Sequence, residues 1–472
     1  MRFSSFSSRL CLAAVLFIGL TTVATAQNRT ETGMYFVGFS DKAGSPGTIE
    51  DPSTYLSTEA ILRRARHGAI ITETDLPLTP NYVEGVQGTG AKLWLKSKWM
   101  NGVVVAAAGP EVISLRELPF VDTVYYVAPV QYERAGANPV IPSFERPAPK
   151  VDTVPVLERY YGYGWTNLQQ MNGDSLHQWG YRGDGVLVGV LDGGFPYVGN
   201  RHFLGYDDEA AIPANYDVVA QDETALDGGT HGATVLSTMA TFRPFLFVGT
   251  APAARYVLFT TENGKGEHRL EEINYAVALE LADSAGVDIV NSSLGYSEFG
   301  EKGMNYTYAD LTGEVSPASR AATTAFARGM ILVTSAGNSG GDKWKFISIP
   351  ADAKDIFAIG ALNRDGSKAY FSSFGPTADG RIKPDVSALG VDVAAMTASG
   401  RAVTGANGTS LASPLVTGLL ACLIQAFPDA TNQEILDAVR QTADQADAPD
   451  NERGYGRPDF AAAYRLLESR RM

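Results

Sequence analysis

The chain contains very little cysteine, with only two such residues among 472. Cys11 lies in the apolar start of the chain, and Cys422 lies in an apolar segment near the C-terminus. A framework of disulfides is therefore excluded as the source of stability, and a chain of this length can bury a large hydrophobic core instead. We expect Cys422 to pack in that core as a small apolar side chain.

Long hydrophobic runs are also rare, and the clearest one is at the N-terminus. Arg2 and Arg9 precede an apolar core over residues 10–20, and the small residues of Ala24-Thr25-Ala26 follow it. This pattern predicts a secretory signal peptide over residues 1–26, because the apolar core is too short to cross a bilayer. We predict no membrane span in the rest of the chain and a secreted protein, either extracellular or periplasmic.

Positive charge is deficient, with 38 Lys and Arg against 52 Asp and Glu and a formal net charge of −14. An acidic chain argues against nucleic acid as a partner. One acidic cluster could hold a structural calcium ion through its oxygen ligands. Its spacing matches no calcium loop, so a solvated surface is the simpler interpretation. The cluster comprises Asp207, Asp208, Glu209, Asp217, Asp222, Glu223 and Asp227.

The most informative segment is residues 407–414, Asn-Gly-Thr-Ser-Leu-Ala-Ser-Pro, which opens an apolar stretch. The stretch predicts a buried helix, so Ser410 would lie beside the unpaired N–H groups and the positive dipole end of the helix N-terminus. That position suits a serine nucleophile and the oxyanion that its attack produces. The alternative is a Ser or Thr cap on an ordinary core helix.

Two other segments contain the partners that a serine nucleophile needs. Asp192 ends the apolar run 186–191, which predicts a buried parallel strand with the carboxylate at its tip. His231 follows a glycine-rich turn at the start of a helical pattern. A serine hydroxyl needs a general base, and the base needs a carboxylate that orients it. The remaining histidines, interpreted as structural or surface groups, are His67, His177, His202 and His268.

The chain order Asp192, His231, Ser410 resembles that of the subtilisin-like serine peptidases, or subtilases. The resemblance extends over roughly residues 160–467. Asn338 follows an apolar strand and resembles the oxyanion-hole asparagine of the family, although such an Asn is often only a turn former. One departure is Gly193, which stands where the family usually has Thr or Ser after the catalytic aspartate.

The same resemblance implies a substrate cleft with two walls. The walls comprise Ser293, Leu294 and Gly295 on one side and Gly264, Lys265 and Gly266 on the other. An extended substrate would pair with them through main-chain hydrogen bonds, which implies broad specificity. Ser348, which is small and neutral, would lie near the base of the specificity pocket and favour a large apolar side chain.

Strands and helices alternate along residues 156–472, which predicts an α/β fold: a subtilisin-like parallel sheet with helices on both faces. We expect strands near residues 186–191, 255–260, 287–292, 330–335 and 356–361. We expect helices near residues 231–241, 268–284, 317–328, 410–425 and 432–443. The chain contains no internal repeat and no low-complexity tract.

Residues 27–132 predict a separate, small α+β domain, and the proline-rich residues 133–155 predict an extended linker before a peptidase domain at 156–472. By resemblance to secreted subtilases, the small domain is an inhibitory propeptide that lays its C-terminal segment along the cleft. The alternative is an unrelated accessory domain.

These observations lead to the hypothesis of a secreted serine endopeptidase, made as a zymogen, that cleaves protein or peptide substrates. The chemistry requires no cofactor, and the propeptide would act as an intramolecular inhibitor. One alternative is a catalytically inactive subtilase-like binding protein. Another is an esterase of a different α/β family, although the chain lacks the glycine that a nucleophile elbow has two residues after its serine.

Overall fold

A computed structural model describes residues 30–130, 158–199, 203–205, 208–301 and 303–471. The predicted signal peptide at residues 1–26 and the predicted linker at residues 133–155 lie outside the described residues. Both therefore stay predictions.

Residues 30–130 form the N-terminal unit, a small α+β fold. Its strands are β1 (Gly33–Phe39), β2 (Lys92–Ser97), β3 (Gly102–Ala107) and β4 (Val121–Ala128). They pair as one antiparallel sheet in the order β2-β3-β1-β4. Its helices are α1 (Thr58–His67), α2 (Pro80–Gly88) and α3 (Gly109–Glu117), with 3₁₀ turns at Pro52–Thr54 and Glu73–Asp75. The pattern does not predict α2, because two glycines weaken its helical propensity.

The strands of the second unit, which begins at residue 158, are short and mostly buried. They are β5 (Leu187–Asp192), β6 (Ala214–Asp217), β7 (Phe242–Arg243), β8 (Phe247–Val248), β9 (Arg255–Thr260), β10 (Ile289–Ser292), β11 (Ile331–Ser335), β12 (Phe357–Leu362), β13 (Val386–Leu389), β14 (Val393–Met396) and β15 (Val403–Ala406). Seven of them form one parallel sheet in the order β13-β12-β11-β10-β5-β9-β6. The pairs β7-β8 and β14-β15 are antiparallel hairpins.

The helices of the second unit alternate with these strands. They are α4 (Glu158–Tyr161), α5 (Trp165–Gln169), α6 (Gly173–Gln178), α7 (Asp208–Ala211), α8 (His231–Ala240), α9 (Arg269–Ala285), α10 (Pro317–Ala327), α11 (Thr409–Ala426), α12 (Asn432–Gln441) and α13 (Phe460–Ser469). A 3₁₀ turn lies at Tyr308–Asp310. The five predicted strands and five predicted helices lie within two residues of their observed bounds. The edge strands β6 and β13 were not predicted, because four residues give too short a pattern.

The central sheet is buried on both faces. Along β5, Leu187 and Leu191 contribute to one hydrophobic cluster, and Val188 and Val190 contribute to another. Helices α9 and α10 cover the first face, and α8 and α11 cover the second. The predicted α/β fold, a parallel sheet with helices on both faces, is therefore confirmed.

The first hydrophobic cluster also joins the two units. Tyr35 and Val37 of β1 belong to the same cluster as Tyr275 and Ala278 of α9. Helix α9 packs directly against β2, β4 and α1 of the N-terminal unit. The face of α9 that points away from the central sheet is therefore covered by the antiparallel sheet.

Helix α11 is, within the described residues, the one helix long and apolar enough to cross a membrane by length and composition. Of its residues, 89% are buried inside the protein, and the helix packs on β10, β11, β12 and β13. Burial of this kind identifies a core helix. Cys422, which is fully buried on α11, packs there as predicted.

Candidate active site

Three of the predicted site residues lie at, or shortly after, the C-terminal ends of parallel strands. Asp192 is the last residue of β5, Ser293 follows β10, and Asn338 lies three residues beyond β11. Because β5, β10 and β11 are parallel neighbours, their C-terminal ends meet at one edge of the sheet. The fold therefore places these three positions along one edge.

Asp192 and His231 form a direct contact. His231 Nδ1 lies 2.9 Å and 3.0 Å from the two carboxylate oxygens of Asp192. The Asp192 carboxylate is buried, whereas 48% of the His231 side chain is exposed. The negative charge of Asp192 raises the pKa of His231 above its ordinary value. The carboxylate therefore holds the imidazole in one orientation and stabilises its protonated form.

Glycines make this close approach possible. His231 is the first residue of α8, and the next residue, Gly232, packs directly on the Asp192 segment. A Cβ on Gly232 would lie 2.8 Å from the Asp192 Cβ and 2.5 Å from the Gly194 carbonyl oxygen, so any other residue would force the two apart. The Gly193 N–H donates to the Asp192 carboxylate at 2.8 Å, so a backbone donor is present where the side chain of a Thr or Ser is missing.

Ser410 is the second residue of α11 and is 7% exposed. Gly408 precedes the helix with a φ of +146°, a backbone conformation that other residues rarely adopt. Helix α11 packs against α8, the helix that begins at His231. The predicted nucleophile and the predicted base therefore lie at the N-termini of two neighbouring helices.

Asn338 is fixed by Thr409, a residue that the sequence pattern did not single out. The Asn338 side-chain carbonyl accepts hydrogen bonds from the Thr409 N–H at 2.9 Å and the Thr409 hydroxyl at 3.0 Å. Both acceptor contacts are on the oxygen, so the Nδ2 group remains as a donor. A Cβ atom added to Gly408 would lie 2.8 Å from Ser410 Oγ and 3.7 Å from Asn338 Nδ2. The Asn338 amide and the Ser410 hydroxyl therefore border the same small space.

The wall predicted from Ser293, Leu294 and Gly295 is next to Ser410. The Ser293 hydroxyl donates to the Ser410 carbonyl at 2.8 Å, and the Ser335 hydroxyl donates to the Leu294 carbonyl at 3.3 Å. Leu294 is partly exposed and Gly295 is exposed. This segment therefore has accessible backbone close to the predicted nucleophile.

Ser348 lies between two glycines of the predicted pocket. A Cβ on Gly295 would be 2.7 Å from the Ser348 Cβ, and a Cβ on Gly337 would be 2.5 Å from the Ser348 hydroxyl. Ser348 is 7% exposed, whereas the nearby Asp342 is exposed to solvent. Small neutral groups therefore surround Ser348.

The second predicted wall, Gly264, Lys265 and Gly266, is an exposed loop that follows β9. The Lys265 N–H donates to the Asn263 side chain at 3.2 Å, which shapes the turn. The strand β9 lies beside β5, and Thr261 donates its N–H to the Asp192 carbonyl at 3.0 Å. The loop therefore leaves the sheet beside Asp192.

A group of three carboxylates borders this loop. Oxygen atoms of Glu262, Glu267 and Glu271 all lie within 4.8 Å of one another. Burial, together with the charges of the neighbouring carboxylates, raises the pKa of both Glu262 and Glu271. The sequence pattern did not reveal this group, because it forms only when the loop folds back on α9.

The acidic cluster predicted from residues 207–227 contains no shared site among its described side chains. The Asp217 carboxylate accepts the Ala220 N–H at 2.8 Å, and the Asp222 carboxylate accepts the Thr224 N–H at 3.0 Å. These bonds stabilise local turns. Asp207 and the side chains of Asp208 and Glu209 lie outside the described residues, and a structural calcium ion stays a prediction.

Comparison with protein families gives two matches. Residues 183–456, more than half of the chain, match the subtilase family, and residues 34–139 match the family described as "Peptidase S8 propeptide domain, Bacteroidota". The chain therefore belongs to the subtilase family and is a serine-type endopeptidase by class. Its N-terminal unit is a propeptide domain. An esterase of a different α/β family is excluded.

Individual relatives agree with this assignment. The chain is 27% identical over 290 residues to the thermostable alkaline protease of Halalkalibacterium halodurans. The aligned region covers 61% of this chain and 69% of that protein. It is 28% identical over 280 residues to subtilisin BL of Lederbergia lenta, and this aligned region covers 58% of this chain and 90% of that protein. The match to the subtilisin-like protease SBT6.1 of Arabidopsis thaliana spans only 28% of that longer protein.

A solved structure shows the same fold. The crystal structure of MycP1 with the N-terminal propeptide removed matches with a TM-score of 0.51 at 20% identity, over 63% of this chain and 96% of that chain. The likeness concerns the architecture of the peptidase domain.

Proposed function

We propose that Asp192, His231 and Ser410 form the catalytic triad of this peptidase and that Asn338 contributes to its oxyanion hole. The observation that carries the proposal is the contact of His231 Nδ1 with both oxygens of the buried Asp192 carboxylate. With Nδ1 committed to Asp192, Nε2 is the nitrogen that remains to accept a proton. The packing of α8 on α11 supports Ser410 as the proton donor.

In the acylation step, Ser410 Oγ attacks the carbonyl carbon of the scissile peptide bond while His231 Nε2 takes the hydroxyl proton. The imidazolium that forms is stabilised by the Asp192 charge. It then donates the proton to the departing amine, which leaves an acyl-enzyme on Ser410. A water molecule repeats the sequence, with His231 as base, and releases the acid.

The oxyanion needs donors that are fixed before the reaction begins. The Thr409 contacts hold the Asn338 carbonyl, so the Nδ2 group is oriented without the help of substrate. The Ser410 N–H at the start of α11 would supply the second donor, together with the positive end of the helix dipole. In a related subtilisin, removal of one such donor lowers kcat by about 10²–10³-fold.

The substrate would be held as an extended strand between the two exposed segments beside the triad. Main-chain pairing of this kind reads backbone atoms, so specificity would be broad and would depend mainly on the pocket around Ser348. The chain would be secreted by means of the signal peptide at residues 1–26 and made as a zymogen. The propeptide domain would then act as an intramolecular inhibitor of the enzyme.

Replacement of the nucleophile in the full chain tests the proposal. Ser410→Ala should abolish labelling by a fluorophosphonate and lower casein cleavage by about 10⁶-fold, the loss typical of a missing serine nucleophile. Maturation should stop, with a secreted product that begins near Gln27. Ser413→Ala, one turn along the same helix, is the matched control because its hydroxyl bonds to Asn291.

The control should keep fluorophosphonate labelling, and circular dichroism should show that both variants are folded. Labelling of folded Ser410→Ala would refute the assignment of the nucleophile. A folded wild-type protein that takes up no label and cleaves no casein would instead support the inactive binding protein.

A further inference from the structure

The two walls of the proposed substrate cleft leave the central sheet on either side of β5. One wall follows β9 and the other follows β10, and β5 pairs with both strands. Strand β5 ends at Asp192, and the next residue bonds to a different segment, since the Gly193 carbonyl accepts the Gly229 N–H at 2.8 Å. Neighbouring strands lie about 4.7–4.9 Å apart, so the two walls begin about two strand spacings from each other. The gap between them therefore has the width that one extended chain needs.

A side-chain hydrogen bond crosses from one wall to the other. Glu262 lies between β9 and the wall at residues 264–266, and Tyr296 directly follows the wall at residues 293–295. The Tyr296 hydroxyl donates to Glu262 Oε1 at 2.7 Å, and the Thr261 hydroxyl donates to the same oxygen at 2.8 Å. We call the contact of Glu262 with Tyr296 the wall brace. Strands β9 and β10 are separated by β5, so the wall brace joins two segments that are not neighbours in the sheet.

The Tyr296 end of the wall brace is fixed by its own backbone. Tyr296 is 1% exposed, its N–H donates to the Ile349 carbonyl at 2.7 Å, and its carbonyl accepts the Ile349 N–H at 3.0 Å. Ile349 directly follows Ser348, the residue of the predicted specificity pocket. A buried ring in a close-packed interior has few alternative positions. The Tyr296 hydroxyl is therefore a fixed point next to both the wall and the pocket.

The Glu262 end of the wall brace belongs to a loop that Glu271 holds in shape. The Glu271 carboxylate accepts the Asn263 N–H at 2.8 Å and the His268 N–H at 2.9 Å, so it bonds both ends of the loop and ties them to α9. Glu262 also lies beside the end of β5, because a Cβ on Gly193 would be 3.8 Å from the Glu262 Cβ. The wall brace adds a tie to the opposite wall and thereby fixes the distance between the two walls.

We propose that Glu262 and Tyr296 are positioning residues of this peptidase, which hold the two walls at the distance where both can pair with an extended substrate. A main-chain hydrogen bond needs a donor–acceptor distance of about 2.7–3.2 Å, so walls that move apart lose the contacts on one side. The walls adjoin the Ser348 pocket, so the substrates affected are peptides with several residues before the scissile bond. The inference rests on the proposed function, because it takes the walls to be the substrate cleft.

The test compares two substrates of the active enzyme that expression of the full chain yields. One substrate is the p-nitrophenyl ester of acetylated phenylalanine, which occupies the pocket and does not extend along the walls. The other is the p-nitrophenyl ester of an acetylated tetrapeptide that ends in phenylalanine and spans the walls. Fluorophosphonate labelling gives the concentration of active sites, so differences in yield do not affect the comparison. The variants are Tyr296→Phe, Glu262→Ala, the two together and Glu262→Gln.

Tyr296→Phe removes one oxygen atom and should lower kcat/KM for the tetrapeptide about tenfold, the typical effect of one lost hydrogen bond. Glu262→Ala should have a similar effect, and the double variant should lie close to the single variants, because the two residues form one contact. Glu262→Gln keeps the acceptor oxygen and should stay within about threefold of the wild type. The single-residue substrate should change by less than about twofold in every variant, because it makes no contact with the walls.

Tyr256→Phe is the matched control, because the buried Tyr256 hydroxyl donates to the Ala251 carbonyl at 2.7 Å near the start of β9, at the end away from the walls. It should leave both substrates unchanged. Equal losses on both substrates in Tyr296→Phe would indicate a general structural role and overturn the proposal.

Unchanged turnover of the tetrapeptide in Tyr296→Phe, or a double variant equal to the product of the single effects, would overturn it as well. If Glu262→Ala does not fold, Tyr296→Phe and Glu262→Gln provide the measurement, because each keeps the size of its side chain. A wild-type product that takes up no fluorophosphonate would refute the proposed function, and this inference with it.

Discussion

Mild acid should loosen the contact between the propeptide domain and the peptidase domain through His67. His67 is the last residue of α1, and its ring packs against Gly329 of the peptidase domain. Its Nδ1 atom is buried and has no hydrogen-bond partner among the described residues. Burial and the charges of Arg66 and Arg63 lower the pKa of His67 to about 4, with Asp288 as the opposing charge. The contact therefore favours the neutral ring.

The size of the effect follows from the difference between the two pKa values. A free histidine has a pKa of about 6.5, so His67 contributes its full stability above that pH and loses it as the pH falls from about 6.5 to about 4. At pH 5 the linkage relation gives a loss of about 2 kcal/mol. Solvent reaches part of the ring, so we expect about 1–2 kcal/mol.

The buried carboxylates of Asp75 and Asp283, which pair with Arg64 at the boundary between the two domains, should not contribute in this range. Burial opposes the ionisation of Asp283, but the charges of Arg63, Lys98 and Arg64 lower its pKa to about 2. A lowered carboxylate pKa preserves stability until the pH falls below the ordinary range of about 4. Burial raises the pKa of Glu280, which also bonds the N-terminal unit, and a raised carboxylate pKa opposes the effect of His67 as the pH falls. The comparison with His67→Gln therefore assigns the decrease to His67.

Hydrogen exchange of the α1 amides in the full chain with Ser410→Ala measures this loss. After correction for intrinsic rates, protection of residues 58–67 should fall about five- to thirtyfold between pH 7 and pH 5, the equivalent of about 1–2 kcal/mol. His67→Gln keeps a neutral side chain and should abolish most of the decrease. Helix α12 serves as an internal control, because its buried residues belong to the second hydrophobic cluster, which contains no residue of α1. An equal decrease in His67→Gln would refute the role of His67.

Two further predictions concern catalysis. The Asp192 charge raises the pKa of His231, so kcat/KM should fall with one ionisation as the pH decreases, with a midpoint above the ordinary histidine pKa of about 6.5. A kcat/KM that stays constant down to about pH 4 would point to a carboxylate base instead. In a library of peptides varied at the residue before the scissile bond, Leu, Phe or Tyr should be preferred over Lys or Arg. The Ser348 side chain lies between Gly295 and Gly337, so Ser348→Gly should enlarge the pocket and shift that preference toward the larger aromatic residues. We expect a shift of about fourfold, which corresponds to roughly one buried methylene. A strong preference for Arg or Lys would contradict a neutral pocket and implicate a carboxylate within it.

The predicted elements matched the structure best where a local pattern is long. The apolar run that ends at Asp192 forms β5, and the apolar stretch after Ser410 forms α11. Burial on both faces requires near-continuous apolar strands, and that requirement is visible in any one segment. The short strands β6 and β13 and the glycine-containing helix α2 did not have such a pattern.

The sequence by itself determined the family, the order of the three predicted catalytic residues and the domain that precedes them, because each depends on residues that are neighbours along the chain. It did not reveal how Thr409 holds Asn338 across 71 positions, or that Glu262, Glu267 and Glu271 converge. In the sequence, Arg63 and Arg64 lie at the basic end of an amphipathic helical pattern over residues 56–66.

Only the tertiary structure decided that these two arginines are buried. Their partner, Asp283, is 220 residues away from Arg63 along the chain. A charged residue in an amphipathic helix has the same local pattern whether it meets water or a carboxylate of another domain. Its burial depends on whether the partner domain supplies compensating charges at that exact place, which is a property of the packed interface and of no single segment.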